Sequence, residues 1–174
     1  MEAPAIAPAE LRALLDKQAI SEVVLRYCRG IDRMDRELVR SCYHPDASDS
    51  HGSFEGSREE FLAWVWRLLE RYESSMHLVG NLLVEPVGDV ARAETYGIAF
   101  HRGRSEDPRL NLVTGFRYVD RFERRAGEWR IARRVAVTEW VRQDDPARRW
   151  PIPAGMRRGA RDASDAIYEV LSHS

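Results

Sequence analysis

The sequence of 174 residues contains little of several features that mark particular classes of protein. It has two cysteines, which are too few for a disulfide framework and are typical of small buried side chains in a reducing compartment. Lysine occurs once, at Lys17, so the abundance of arginine is best read as a codon bias. The net charge of −1 argues against a nucleic-acid or anionic-membrane partner. No stretch approaches the roughly 20 apolar residues of a membrane span.

The common catalytic and cofactor motifs are also missing. There is no glycine-rich phosphate loop, no CxxC pair, no HExxH motif and no GxSxG elbow. Asp46, Asp49 and His51 form a loose group of metal-ligand residue types, but their spacing matches no defined metal motif. The N-terminus lacks a basic region followed by a long apolar run, so it does not resemble a signal peptide. We therefore expect a cytoplasmic protein that uses no cofactor and no metal.

The N-terminal part of the sequence shows helical periodicity. Residues 1–9 are rich in alanine and proline, and we expect them to be disordered. From Glu10 onwards, apolar residues recur at spacings of three and four, which predicts a long helix. Gly30 marks the approaching end of that helix.

Two further helices are indicated by their capping residues. Asp35 is suited to cap a short helix over residues 36–42. Ser57 and Glu60 have the spacing of a capping box, and the apolar residues that follow them predict a third helix with an aromatic face.

After the third helix the apolar period changes from 3.6 to 2, which predicts strands. Four long strands are expected, over residues 76–86, 90–103, 110–125 and 128–142. Their length makes bulges and strong curvature expected, and Ala126-Gly127 suits a tight turn between the last two. Residues 46–54 are predicted to form either a short strand or an irregular segment.

Helices followed by antiparallel strands are typical of the α+β class. We expect one domain over residues 10–142, in which a strongly curved antiparallel sheet wraps around helices and leaves a cone-shaped interior for a small molecule. Residues 143–174 are expected to form a tail with a weak helix near 163–171, packed on the domain or on a neighbouring subunit.

Two polar residues stand where the pattern calls for apolar ones. Asp32 continues the apolar row of Val24 and Cys28, and His77 lies within an apolar strand. A buried carboxylate must be paired, and a carboxylate beside an imidazole fixes its tautomer and stabilises its cation. Taken singly, Asp32 could equally be a solvated helix-end residue and His77 a core histidine with its hydrogen bonds satisfied. Taken together, they predict a pair that transfers protons.

Three other residues are candidates for the same site. His101 and Arg134 both have small neighbours on their own strand face, which leaves space for a ligand beside them. The alternatives for both are an outer sheet face, or small residues that make room for a helix, and a bulge would bring Arg133 inward instead of Arg134. Tyr27 belongs to the apolar stripe of the first helix, where core packing is the alternative to a role for its hydroxyl group.

The walls of the interior are expected to come from residues that also suit an ordinary core: Phe54, Trp64, Asn81, Phe116 and Tyr118. Asn81 is included because strict alternation puts it on the same face as His77. His44, His51 and His173 are expected in loops or in the tail, and no role is predicted for them.

The order of these parts resembles the SnoaL-like family of the nuclear-transport-factor-2-like superfamily. The resemblance covers about residues 10–142 and is carried by Gly-Ile-Asp-Arg around Asp32, by Met-His-Leu-Val-Gly-Asn around His77, and by a Gly-Glu-Trp-Arg-Ile hairpin. It is nearest to the branch that contains scytalone dehydratase, bile-acid 7α-dehydratase and hexachlorocyclohexane dehydrochlorinase. This resemblance implies a cone-shaped, cystatin-like α+β barrel and a homodimer or homotrimer.

The resemblance also implies roles for individual residues. Asp32 and His77 match the branch's aspartate–histidine dyad, and Tyr27 matches the tyrosine of the bile-acid enzyme. His101 falls where the branch has a second polar strand residue, and Arg134 resembles an arginine near the last strand. The implied activity is a cofactor-independent, dehydratase-like lyase or isomerase acting on a hydrophobic cyclic substrate. A non-catalytic ligand-binding protein, or an accessory subunit like the β subunit of ring-hydroxylating dioxygenases, is the alternative.

Overall fold

The structure is a computed structural model that describes residues 6–104, 107, 111–145, 147 and 151–171. Its helices and strands are α1 (Pro8–Arg33), α2 (Arg36–Ser41), β1 (Tyr43–His51), β2 (Phe54–Ser57), α3 (Arg58–Leu69), β3 (Tyr72–Val87), β4 (Val90–Gly103), β5 (Leu112–Arg125), β6 (Glu128–Gln143) and α4 (Ala166–Leu171). His173 lies outside the described residues.

The ends of the helices follow from local chemistry. The Ser57 backbone N–H donates to Glu60 at 2.9 Å, and the Ser57 hydroxyl accepts from the Glu60 N–H, which confirms the predicted capping box of α3. Helix α1 ends at Met34, whose φ of 56° is left-handed. Gly30 lies in the last turn of α1, near the end of the helix as predicted. It lets α2 pack closely, because a Cβ at this position would lie 2.6 Å from the Val39 side chain.

The six strands form one sheet in the order β2-β1-β6-β5-β4-β3. The predicted α+β class with a curved sheet and a cone-shaped interior is confirmed. The sheet is mixed rather than wholly antiparallel, because β1 runs parallel to β6. Residues 46–54, left open as strand or irregular, supply most of β1 and the start of β2. His44 and His51 therefore lie on a strand and not in loops.

Irregular pairing decides which residues face the interior. The register between β3 and β4 shifts between Val79 and Leu82, and the register between β5 and β6 shifts between Gly115 and Phe116. Each shift interrupts the strict alternation of side chains between the two faces. Asn81 lies within the first of these shifts, so its position cannot be derived by counting from His77.

The concave face of the sheet packs on α1 and α3 around a core rich in aromatic residues. Tyr27, Tyr43 and Phe61 are among its fully buried members. Cys28 and Cys42 are free thiols buried in the same region. Burial raises the pKa of the Cys28 thiol to about 12, which makes it a poor nucleophile at neutral pH.

The C-terminal segment packs back on this chain. Asp165 forms an ion pair with Arg33 at 2.8 Å, and the Tyr168 hydroxyl lies 3.2 Å from the carboxylate of Asp35. Arg161 donates to the carbonyl oxygen of Tyr72 at 2.7 Å. Among the helices of the described segments, none is both long and apolar enough to cross a membrane.

Candidate active site

Asp32 and His77 are in direct contact. Asp32 lies in the last turn of α1, and its Oδ1 is 2.7 Å from Nδ1 of His77. Its Oδ2 accepts a second hydrogen bond, also of 2.7 Å, from the backbone N–H of His77. That N–H is available because β3 is an edge strand of the sheet. The two bonds fix the carboxylate against both the main chain and the imidazole.

The electrostatics of this contact favour a charged carboxylate. Burial acts to raise the pKa of Asp32, but the hydrogen bonds and the positive charge that His77 can carry outweigh burial, so the pKa is lowered. Asp32 is therefore ionised at neutral pH and accepts a hydrogen bond from the Nδ1–H of His77. With Nδ1 engaged in this way, Nε2 is the ring nitrogen of His77 left to act as an acceptor.

A cavity of about 340 Å3 lies between the sheet and the helices, and His77 forms part of its wall. Most of its lining is aromatic or aliphatic, and the polar side chains among the lining residues include His51, His101, Thr114 and Thr138. A largely apolar cavity with a few converging polar groups is typical of a small-molecule site.

His101 lies beside His77, with the two ring centroids 5.9 Å apart, and also contacts the ring of Tyr72 at 4.6 Å. Burial, followed by the charge of His77, lowers the pKa of His101 to about 4. His101 is therefore neutral at neutral pH. It can donate or accept a hydrogen bond in the cavity, but it does not supply a cation there.

Tyr27 also lines the cavity, and its ring is 1% exposed. Burial raises the pKa of its hydroxyl well above the usual value, so the group stays protonated. Its ring meets those of Tyr43 and Tyr118 edge-on, at 5.9 and 5.6 Å between centroids. These contacts fix the position of the Tyr27 ring at the wall.

Arg134 points to the interior but is not part of the cavity wall. Its guanidinium group is fully buried and donates two hydrogen bonds to Asp120, at 2.8 and 2.7 Å. It lies over the rings of both Tyr27 and Tyr118, at 4.2 and 4.0 Å from their centroids. Arg133 points outward and is exposed. Arg134 thus supports two cavity-lining tyrosines from behind and does not itself face the cavity.

The expected wall residues are only partly in the wall. Trp64, Phe116 and Tyr118 line the cavity. Phe54 lies behind the wall, stacked on Trp64 with 5.3 Å between ring centroids. Asn81 is exposed and lies with Leu78 and Tyr96 in a groove on the outer face of the sheet, because the bulge in β3 breaks the alternation that starts from His77.

One imidazole of the wall was not anticipated from the sequence. His51, at the end of β1, lines the cavity, and its Nδ1 lies 3.6 Å from Oδ1 of Asp49. The signal was the i, i+2 spacing of these two residues, which puts both side chains on one face of a strand. The sequence left residues 46–54 open as strand or irregular segment. The i, i+2 spacing places two side chains on one face only in a strand, so it could not be used there.

The described ranges bring no three metal-ligand side chains together in a way that could hold an ion. Of the loose group Asp46, Asp49 and His51, the first points away and pairs with Arg125 at 2.7 Å, while the other two face inward. The group is therefore split between two faces of β1.

Comparison with known proteins places this chain in a family. Residues 12–135 match the model of the SnoaL-like domain. An uncharacterized protein of Mycobacterium tuberculosis, Rv2910c, is 27% identical over 124 residues, which are 69% of this chain and 83% of that protein.

Solved structures with similar folds include two of named enzyme classes. The candidate scytalone dehydratase of Novosphingobium aromaticivorans aligns with a TM-score of 0.69 and 19% identity, over 84% of this chain and 97% of that one. Hexachlorocyclohexane dehydrochlorinase LinA-type3 from Novosphingobium barchaimii aligns with a TM-score of 0.72 and 18% identity, over 82% and 99%. At these identities the likeness concerns the fold. The match over residues 12–135 identifies this chain as a member of the SnoaL-like domain family.

Proposed function

We propose that this protein is a cofactor-independent lyase or isomerase in which His77 is the general base and Asp32 orients it. The observation that carries the proposal is the 2.7 Å contact between Asp32 and Nδ1 of His77, made by a histidine that also lines the cavity. In this arrangement Nε2 of His77 is the basic atom, and the charge of Asp32 stabilises the imidazolium formed when it takes a proton.

The proposed reaction is an elimination next to a carbonyl group. Nε2 of His77 removes a proton from carbon, and the electron pair of that C–H bond forms the new C=C bond. The bond to the leaving group breaks, and the leaving group departs with its electron pair. When hydroxide leaves, the imidazolium of His77 returns the proton and water is released. If no group leaves, the C–H electron pair is held as an enolate and the proton returns to another carbon, so the same residues catalyse an isomerisation.

The cavity supports a hydrophobic cyclic substrate. Its volume of about 340 Å3 is near the lower end of the roughly 300–1,000 Å3 found for ligand pockets, which suits a molecule of one or two rings. The rings of Phe116 and Tyr118, 4.5 Å apart between centroids, offer apolar surface beside His77. Tyr27 and the neutral His101 are proposed as hydrogen-bond partners for the polar groups of that substrate.

A racemic β-hydroxy tetralone tests the proposal, because loss of water converts it to a naphthol with a distinct absorbance. We expect naphthol formation above the buffer rate with the wild-type protein, and formation at the buffer rate with His77→Gln. Binding of the tetralone without any turnover, in both proteins, would instead support the ligand-binding alternative.

We also propose that the outer face of the sheet is covered by a second copy of this chain. That face carries exposed large apolar side chains, among them Leu83 at 60%, Val119 at 42% and Trp140 at 46%. A groove of about 620 Å3 runs across part of it, lined in part by Leu83, Val119 and Val135. Light scattering should give the mass of a dimer or trimer. A monomer at micromolar concentration would contradict this.

A further inference from the structure

The cavity wall carries a second aspartate–histidine pair, Asp49 and His51, far from the first in the sheet. His51 is on β1 and His77 is on β3, and the strands β6, β5 and β4 lie between them. Both histidines nevertheless line one cavity, because the curved sheet encloses it. A ligand that fills the cavity therefore meets an imidazole from each of two distant strands.

The pair is built into the protein interior. The Asp49 side chain is fully buried, and its Oδ2 accepts a hydrogen bond of 2.7 Å from the Tyr43 hydroxyl. Its Oδ1 is 3.6 Å from Nδ1 of His51, which is too long for a hydrogen bond but within ion-pair distance. Neither of these two buried atoms has a hydrogen-bond partner among the described residues. The carboxylate is thus held by Tyr43 and presents its second oxygen to His51.

The orientation of His51 leaves its other edge toward the cavity. The side chain is 27% exposed while Nδ1 is buried, so the exposed part includes the far side of the ring. The ring stacks on Phe61 at 5.6 Å with an interplanar angle of 25°, and Tyr118 and Trp64 lie at 6.0 and 6.1 Å. These aromatic neighbours hold the ring in place and leave Nε2 as the nitrogen available to a ligand.

Asp49 belongs to a row of buried charged residues on adjoining strands. Asp49, Arg134 and Asp120 are register partners across β1, β6 and β5, and they form a buried row of two carboxylates and one guanidinium group. Arg134 directs its two hydrogen bonds to Asp120, and Asp49 accepts none from a guanidinium group in the part of the chain that the structure describes. The row therefore contains two carboxylates and one guanidinium group, and the group that faces the second oxygen of Asp49 is the His51 ring.

We propose that His51, oriented by Asp49, binds an oxygen atom of the substrate through Nε2–H and stabilises the negative charge that develops there. The inference rests on the proposed function, and it names the substrate class: a cyclic carbonyl compound whose oxygen points to His51 and is joined, directly or through conjugated C=C bonds, to the carbon that faces His77. As His77 removes a proton, the C–H electron pair is delocalised toward that oxygen. No bond to His51 forms or breaks, and its proton is shared with the oxygen in a charge-assisted hydrogen bond.

The other candidates for this role are placed differently. Arg134 is behind the wall and committed to Asp120. His101 is neutral and lies next to His77, at the same end of the cavity. Among the described residues that line the cavity, the remaining imidazole is His51, and no arginine or lysine is part of that lining.

Binding of para-nitrophenol tests the site without requiring a known substrate. The phenolate absorbs at longer wavelength than the phenol, so spectral titration reports binding of the anion directly. We expect His51→Gln to bind the phenolate roughly 10- to 100-fold more weakly than the wild type, as for loss of a hydrogen bond between charged groups. Asp49→Asn should also weaken binding of the phenolate. His44→Gln is the matched control, because His44 is on the same strand but its ring bonds the carbonyl oxygen of Glu123.

The outcomes separate this inference from the proposed function. Wild-type affinity for the phenolate in His51→Gln would overturn the inference, whatever the turnover of the tetralone. Weaker binding in His51→Gln but not in His44→Gln, with no turnover by the wild type, would support the oxygen site and contradict the lyase. If Asp49→Asn fails to fold, His51→Gln still tests the inference, because the partly exposed His51 ring can be replaced without leaving a large cavity in the core.

Discussion

Asp32→Asn is expected to lower kcat for dehydration of the tetralone by about 10²- to 10⁴-fold, the range that a positioned general base contributes. The carboxylate accepts two hydrogen bonds of 2.7 Å, one from the His77 ring and one from its backbone N–H. An asparagine oxygen can satisfy only one of them, and its amide group then faces the other donor. If the amide donates to Nδ1, the proton of His77 moves to Nε2 and the base is lost.

The same variant should bind the tetralone with little change in KM, because Asp32 supports His77 and is not itself part of the cavity lining. Asp46→Asn is a matched control. It removes the same charge as Asp32→Asn, but from a residue that pairs with Arg125 at the surface. Circular dichroism should show both variants folded. Wild-type kcat in Asp32→Asn would contradict the proposed mechanism, whereas equal losses in both variants would point to an effect of charge alone.

The features that could be predicted from the sequence are those set by local periodicity. The capping box at Ser57 and the apolar spacing in α1 predicted helices that the structure contains, and β4 has the predicted bounds of 90–103. These signals depend on residues a few positions apart. The candidate pair Asp32 and His77 could be suggested for a related reason, because each is a polar residue within an apolar pattern.

What could not be predicted depends on pairing between distant strands. The parallel pairing of β1 with β6 joins strands that are far apart in the sequence and are not connected by a turn, so no local sequence pattern predicts it. It decides that Asp49 lies beside Arg134, and the register of β5 with β6 decides that Asp120 lies on the other side. Seen alone, Arg134 had small neighbours on its strand and suited a ligand site. In the structure the guanidinium group of Arg134 binds the carboxylate of Asp120, on another strand, and not a ligand.

Bulges account for the remaining differences. Counting by twos from His77 puts Asn81 on the inner face, but the register shift between Val79 and Leu82 removes it from that face. A bulge can be expected in a long strand, but its position is set by how the strand fits its neighbours. The position that fails by counting therefore lies within the shift. His77 and His101 lie in the regular part of the β3–β4 pairing before it, and both line the cavity as expected.

Asp120→Asn is expected to lower the free energy of unfolding by about 3–5 kcal/mol, the cost of leaving a buried charge without its partner. Asp120 and Arg134 are both fully buried, and the guanidinium group would keep its position over Tyr27 and Tyr118 with no carboxylate to accept its two hydrogen bonds. Urea unfolding measures the change. The control is again Asp46→Asn, whose exposed ion pair with Arg125 should be worth ~0–1 kcal/mol.

This experiment also decides what Arg134 does. If the guanidinium group supports Tyr27 and Tyr118 from behind, replacing Asp120 and Arg134 together by Leu and Met should recover much of the stability lost in Asp120→Asn, because a buried ion pair can be exchanged for apolar side chains of similar volume. That double variant should also retain phenolate binding, since His51 and Asp49 remain. If Arg134 contacts the substrate instead, the double variant would be stable but would lose phenolate affinity. The two roles therefore predict opposite results for binding in a protein of restored stability.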